Sequence, residues 1–372
     1  MAVDGVRFLN AGELNLGAPL FGIGGLPYQL RSIMADARYR AVERLCTAAI
    51  NSSVDFVLLV GGVISESASG PRPYWFLAEQ FERLARRGIP VYWFETAAEK
   101  NRWSEYVPLP RNLFVGDAES ASTFEFQRNS RPVAQIATGA NCGDALNSDL
   151  PRIAALPDGI DGLPLSPVGV DYWALGGTVA TGDAPSLCGV AHFPGSTQGY
   201  SPSEDGPHGG AMVTIDRQRR CTTEFVGAES VRWHNEQVRV VGEIDWAYLR
   251  RELLHRQDRL IGQVDCDLLV IRWKLAGHGP LWQQLRRDEV CRQLQSKLVR
   301  EGRDRRPAAW SLSIDLNPDP EQLAAWESEE GLFGETARWL RRTAPPPAPH
   351  FNRETAARPP RQAAVTAGNL RD

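Results

Sequence analysis

The chain has no apolar run long enough to cross a bilayer: its longest, Val54–Val60, falls far short of a membrane span. The opening residues, MAVDGVRFLNAGELNLG, have neither a basic stretch nor an apolar core, so no secretory leader is expected. Cysteine is scarce, with six in 372 residues. Cys46, Cys142, Cys188, Cys221, Cys266 and Cys291 stand without metal-ligand spacing, which fits reduced thiols in a cytoplasmic protein better than a disulfide framework. Histidine is as scarce, and only His192 and His208 precede residue 221. Gly22, Gly24 and Gly25 are followed by no Gly-Lys-Ser/Thr, which excludes a P-loop. Ser65 and Ser67 have no His–Asp partnership to support acyl transfer.

The charge is uneven. The whole chain carries −4, yet Arg217–Arg306 holds 19 Lys+Arg against 13 Asp+Glu, a local +6. Such a basic second half attracts polyanions, or is simply the solvated face of Arg-rich helices.

The first hundred residues alternate strand and helix. Val6–Leu9 reads as a strand, and Leu30, Ile33, Met34, Ala37, Ala41, Leu45 and Ala48 share one face of a helix over Tyr28–Ser52. Val54–Val60 reads as a strand buried on both faces. A helix over Tyr74–Arg87, stopped by Gly88, leads to a strand at Ile89–Phe94. This order predicts a layered α/β domain with parallel strands. Further strands are expected at Pro132–Ile136, Arg152–Leu156, Asp171–Leu175, Ala191–Pro194 and Ala211–Ile215, with a long structured loop over Phe193–Gly210. A smaller α+β domain is then expected, with a strand near Val238–Ile244, a helix over Trp246–Ile261, a strand at Leu268–Leu275 and an Arg-rich helix at Pro280–Val299. The Pro/Ala-rich tail is expected to be disordered. The expected segments are 1–220, 221–335 and the tail 336–372.

Connected text carries a family resemblance. LPYQLRSIMADARYRAVERLCTAAINSSVDFVLLVGG, LARRGIPVYWF, GVDYWALGG and FPGSTQGYSPSEDGPHGGAMV occur in order between Val6 and Ile215. They resemble the SbcD-like branch of the calcineurin-like metallophosphoesterases, the DNA double-strand-break repair exonucleases. LLVIRWKLAGHGPLWQQL, at Leu268–Leu285, resembles the DNA-facing capping domain that follows the nuclease domain. The resemblance implies a four-layer metallophosphoesterase sandwich with a small α+β cap. It also implies a partner ATPase with long coiled coils, and a homodimer of such pairs. The family uses two divalent metals such as manganese.

The ligands of that two-metal centre do not carry over. The family's first Asp falls on Glu13 and its companion His on Asn15; the bridging Asp falls on Gly62 and the Asn-His pair on Ala97 and Ala98. The next His falls on Pro157, or near Thr138 in a shifted register, and the last two His positions are Gly177 and Val179. Two divalent ions about 3.5–4 Å apart need several carboxylates and imidazoles, and Glu13 with Asn15 is a remnant of that set. No metal cofactor is expected. The resulting reading is a non-hydrolytic, DNA-binding or scaffolding relative of the nucleases. Alternatives are an active phosphodiesterase rebuilt around Glu13, His192 and His208, and a pure protein-interaction module. His192 and His208 also suit structural roles, and Asp117, Asp144 and Asp158 suit turns and caps. Arg286, Arg287 and Trp282 are the candidate contacts to duplex DNA, Trp282 by stacking, although a helix packed on its own domain fits Trp282 equally.

Overall fold

A computed structural model describes residues 5–65, 68, 70–99, 103, 107–117, 122–138, 149–159, 169–178, 180–184, 190–318 and 320–343. The expected alternation is present: β1 (Gly5–Gly12), α1 (Tyr28–Asn51), β2 (Phe56–Val60), α2 (Arg72–Ala85) and β3 (Val91–Glu95), followed by β4 (Leu113–Asp117). β1, β2, β3 and β4 run parallel because each crossover returns the chain to the same end of the sheet. A second sheet is built from β5 (Thr123–Arg128), β6 (Arg131–Thr138), β7 (Arg152–Leu156), β8 (Tyr172–Leu175), β9 (Gly182–Asp183) and β10 (Val190–Phe193), in the order β5-β6-β7-β8-β10-β9. β11 (Gly209–Asp216) and β12 (Cys221–Gly227) then complete the first sheet, in the order β12-β11-β1-β2-β3-β4.

The two sheets pack face to face. Phe8, Phe56, Val60 and Phe94 of the first meet Phe126, Ile136, Ile153 and Tyr172 of the second, with Phe8 and Phe56 stacked at 4.7 Å. The uniform VLLV and YWF text of β2 and β3 follows from burial on both faces. The opposite face of the first sheet presents Leu9, Leu59 and Trp93 to Leu45 of α1 and to Leu77 and Phe81 of α2. No described helix contributes to the cluster on the outer face of the second sheet, around Leu156, Trp173 and Leu175. The described residues thus supply three layers of the expected four.

A third sheet follows, from β13 (Val231–Val240), β14 (Leu268–Gly277) and β15 (Ala308–Pro318). Its crossovers are α3 (Trp246–Ile261) and the pair α4 (Pro280–Leu285) and α5 (Asp288–Gly302). All its strand pairs are parallel. The expected α+β character is therefore corrected to a β-α-β-α-β unit, the arrangement that helical crossovers between parallel strands enforce. Leu269, Ile271 and Trp273 face Leu253 of α3 and Leu294 and Leu298 of α5. On the other face Val231, Trp233, Leu268 and Val270 meet Leu26, Leu30 and Ala37 of α1 and its approach.

Three boundaries differ from expectation. β12 hydrogen-bonds along β11, so the first sheet extends past residue 220 to Gly227. The strand expected near Val238–Ile244 begins at Val231, because its first half alternates buried Val231 and Trp233 with half-buried polar residues. The single helix expected at Pro280–Val299 is two, since Arg287 adopts an extended backbone (φ −83°, ψ 119°) between α4 and α5. The chain divides into two units, Met1–Leu323 and Ala324–Asp372. α6 (Pro320–Ser328) is followed by α7 (Leu332–Thr343), so helix occupies the start of the expected 336–372 tail, and the remainder lies outside the described residues.

Candidate functional site

The carboxyl ends of the parallel strands converge on the loops that carry the remnant positions. β1 leaves the sheet through two non-glycine residues in left-handed conformations, Glu13 (φ 44°) and Asn15 (φ 47°). Such backbone is unfavourable for non-glycine residues and persists only where surrounding contacts fix it. Asn15 N donates to Gly62 O (2.9 Å) and Leu16 N to Val63 O (2.9 Å), which ties this turn to the loop after β2. Thr197 Oγ1 donates to Gly12 O (3.2 Å), adding the loop after β10.

Glu13 is 2 % exposed, and its carboxylate points into the convergence. Oε1 accepts from the backbone N–H of Gly62 (3.2 Å) and of Gly177 (3.2 Å), and Oε2 accepts from Asn15 Nδ2 (2.9 Å). The remnant pair is thus brought together, but as acceptor and donor rather than as two ligands facing a common point. The glycines pack backbone against backbone around it. A Cβ on Gly61 would stand 2.8 Å from Glu13 Oε1, and one on Gly176 would stand 2.8 Å from Gly61 Cα and overlap Pro157 O. The loops after β2, β7 and β8 therefore close on each other where ligand side chains would have to project.

A second carboxylate, Glu99, received no role from the sequence. It is 3 % exposed and anchors the loop after β3. Oε1 accepts from Val63 N (2.6 Å) and Ile64 N (2.7 Å), and Oε2 from Thr96 N (3.2 Å) and Thr96 Oγ1 (3.0 Å). Burial pushes its carboxyl up to about 7, against the pull of those hydrogen bonds. Ala97 and Ala98, at the family's Asn-His positions, are exposed on the same loop and carry no donor atoms. Pro157 and Thr138 are buried, and Val179 and Asp144 lie outside the described residues. Asp117 ends β4, and Asp158 is exposed in the turn after β7.

The sequence reading also missed Arg38, a buried cation on the apolar face of α1. Its Nε donates to Ala18 O (2.9 Å) and its Nη1 to Leu14 O (3.3 Å), while the guanidinium lies 3.6 Å from the centroid of the Tyr200 ring. Burial lowers its pKa from the ordinary value, opposed by Tyr200, Glu204 and Glu13. An arginine interrupting the Ala37–Ala41 stripe is the signal that could have found it.

The two histidines serve separate neighbourhoods. His192, on β10, pairs through Nδ1 with Asp183 Oδ1 (2.8 Å), a residue whose side chain is 71 % exposed. His208 is buried, with Nδ1 2.8 Å from Ser196 Oγ and Nε2 3.3 Å from Glu204 O, while its backbone N–H donates to Glu229 (3.1 Å). Among the described residues no group of three or more His, Cys, Asp or Glu side chains is arranged to hold a metal ion. A site rebuilt around Glu13, His192 and His208 has no such geometry. Trp282 is buried in the core between the third sheet and its helices, so it does not present a face for base stacking. Arg286 and Arg287 are exposed at the break between α4 and α5.

No family model matches the chain. It is 26 % identical over 345 residues to the uncharacterized metallophosphoesterase YhaO of Bacillus subtilis (strain 168), an alignment covering 83 % of this chain and 81 % of that protein. The crystal structure of TT1561 of Thermus thermophilus overlays on 59 % of this chain and 99 % of its own with 14 % identity and a TM-score of 0.33, too low for argument. The B. subtilis relationship supports the calcineurin-like metallophosphoesterase superfamily.

Proposed function

We propose that this chain is a catalytically degenerate metallophosphoesterase of the SbcD-like branch, acting as a non-hydrolytic DNA-binding or scaffolding subunit. The observation that carries the reading is the Glu13 carboxylate, engaged by the N–H groups of Gly62 and Gly177 and by Asn15. A two-metal centre does not fit these residues. Gly62, Ala97, Ala98, Pro157 and Gly177 offer no side-chain oxygen or imidazole, and the one carboxylate at a remnant position already accepts three hydrogen bonds. No hydrolytic step is therefore derived through metal.

The finer elements of this reading rest on the resemblance. They are a completed four-layer sandwich, the third sheet as a DNA-facing cap, a role in break repair, a coiled-coil ATPase partner and a homodimer. Arg286 and Arg287, exposed in a stretch of local +6 charge, are the candidate contacts to duplex DNA. No helix among the described residues is long and apolar enough to cross a membrane, and a cytoplasmic location is part of the proposal.

The direct test is a manganese-dependent nuclease assay on the full chain with linear duplex DNA. The expected result is no cleavage above a buffer control. Cleavage abolished by Glu13→Ala would overturn the reading in favour of an active, rebuilt site.

A further inference from the structure

We infer that Glu13 and Glu99 form a metal-independent clamp that holds the strand-end loops together, with the polarity of a metal centre inverted. This rests on the reading of the site as metal-free. In a dimetal centre anionic and imidazole ligands converge on central cations. Here the centre is anionic and the surroundings are backbone N–H groups. Glu13 gathers the loops after β1, β2 and β8 through Asn15, Gly62 and Gly177. Glu99 gathers the loops after β2 and β3 through Val63, Ile64 and Thr96.

Neither carboxylate shares a donor with the other, yet both hold consecutive residues of the loop after β2. That loop, Gly62–Ile64, is therefore fixed from two sides. The loop after β7 joins without a carboxylate, because Gly176 N donates to Leu156 O (2.8 Å) and Gly176 packs against Pro157 and Gly61. Charge-assisted hydrogen bonds to backbone N–H are stronger than neutral ones, and the donors belong to loops with no strand partner at these positions. Removing an acceptor leaves several buried donors unpaired at once, a larger loss than one hydrogen bond. Two anions with seven donors between them can thus hold the loops in place of bridging cations.

The test is thermal unfolding of the full chain, with and without EDTA and with added manganese, for wild type, Glu13→Leu, Glu99→Leu and Glu99→Gln. Leucine keeps the volume and removes every acceptor; glutamine at Glu99 keeps one oxygen for Val63 and Ile64. The expected result is no change with EDTA or manganese, and a fall in Tm of at least about 3 °C for each leucine variant. Glu99→Gln is expected to lose less than Glu99→Leu. Leucine variants as stable as wild type would overturn the clamp alone. A manganese-dependent rise in wild-type Tm, lost in Glu13→Leu, would overturn the metal-free reading beneath it. Should a leucine variant not fold, amide hydrogen exchange of wild type decides the clamp. The amides of Gly62, Val63, Ile64 and Gly177 are expected to exchange at least about 100-fold more slowly than open loop amides, and exchange at open-loop rates would overturn the clamp.

Discussion

Substituting Gly176 by alanine tests whether the strand-end loops are closed on one another. The added Cβ would stand 2.8 Å from Gly61 Cα and 2.9 Å from Gly61 N, and would overlap Pro157 O. All three are backbone atoms, so no side chain can swing aside. Overpacking a close-packed site costs about 1–3 kcal/mol, and contact with backbone on both sides places this case at the upper end, about 3 kcal/mol. At the sensitivity of larger domains that corresponds to a fall in Tm of about 6–12 °C. Gly24→Ala is the control, because a Cβ there meets nothing within 4 Å, and its expected effect is no loss. Differential scanning calorimetry on both variants gives the comparison. If Gly176→Ala melts with wild type, the loops after β2, β7 and β8 are not in backbone contact and there is room for ligands after all.

Burial raises the Glu99 carboxyl from the ordinary 4.5 to about 7, so the folded state keeps a proton that the unfolded chain releases between those values. The stability this confers is complete below about pH 4.5, is lost as pH rises through about 7, and amounts to about 3 kcal/mol. Urea unfolding of wild type and Glu99→Gln at pH 5 and pH 8 should show the difference between them changing with pH; a constant difference would refute the shift. Arg286→Ala with Arg287→Ala should weaken duplex DNA binding and lower the slope of log affinity against log salt by up to about 2. Fluorescence anisotropy across a salt series reads this, and an unchanged slope would take these arginines out of the interface.

The opening β-α-β-α-β order was legible because burial on both faces writes itself into uninterrupted runs such as Phe56–Val60, and because α1 keeps helical spacing along its apolar face. Edge strands were not. β12 alternates exposed and half-buried residues at the margin of its sheet, so CTTEFVG carries no core signal, and only its pairing with β11 identifies it. β15 likewise mixes Ser, Asp and Asn with apolar residues, since half-buried polar positions recur along it. The break between α4 and α5 is a backbone event at Arg287, within text whose composition is helical throughout.

At the site, the sequence marked which positions lack donor side chains, because glycine, alanine and proline are unambiguous. It could not show what replaces them. Glu99 is local to its own loop, but the amides it accepts from, Val63 and Ile64, are 36 and 35 residues away. Glu13 reaches Gly177 across a separation of 164 residues. Such pairings exist only once the loops after β1, β2, β3 and β8 converge at one end of the sheets. Arg38 was hidden for a different reason, as a charged residue in an apolar stripe whose partners are carbonyls of a distant turn and an aromatic ring.

Metal content tests the central claim most directly. The full chain, incubated with excess manganese, iron or zinc and then desalted, is measured by elemental analysis with protein concentration in parallel. The account predicts no stoichiometric metal, because the carboxylate at Glu13 is held by amide donors and the family's other ligand positions among the described residues carry no ligating side chains. Two equivalents per chain, lost on substituting Glu13, would contradict it.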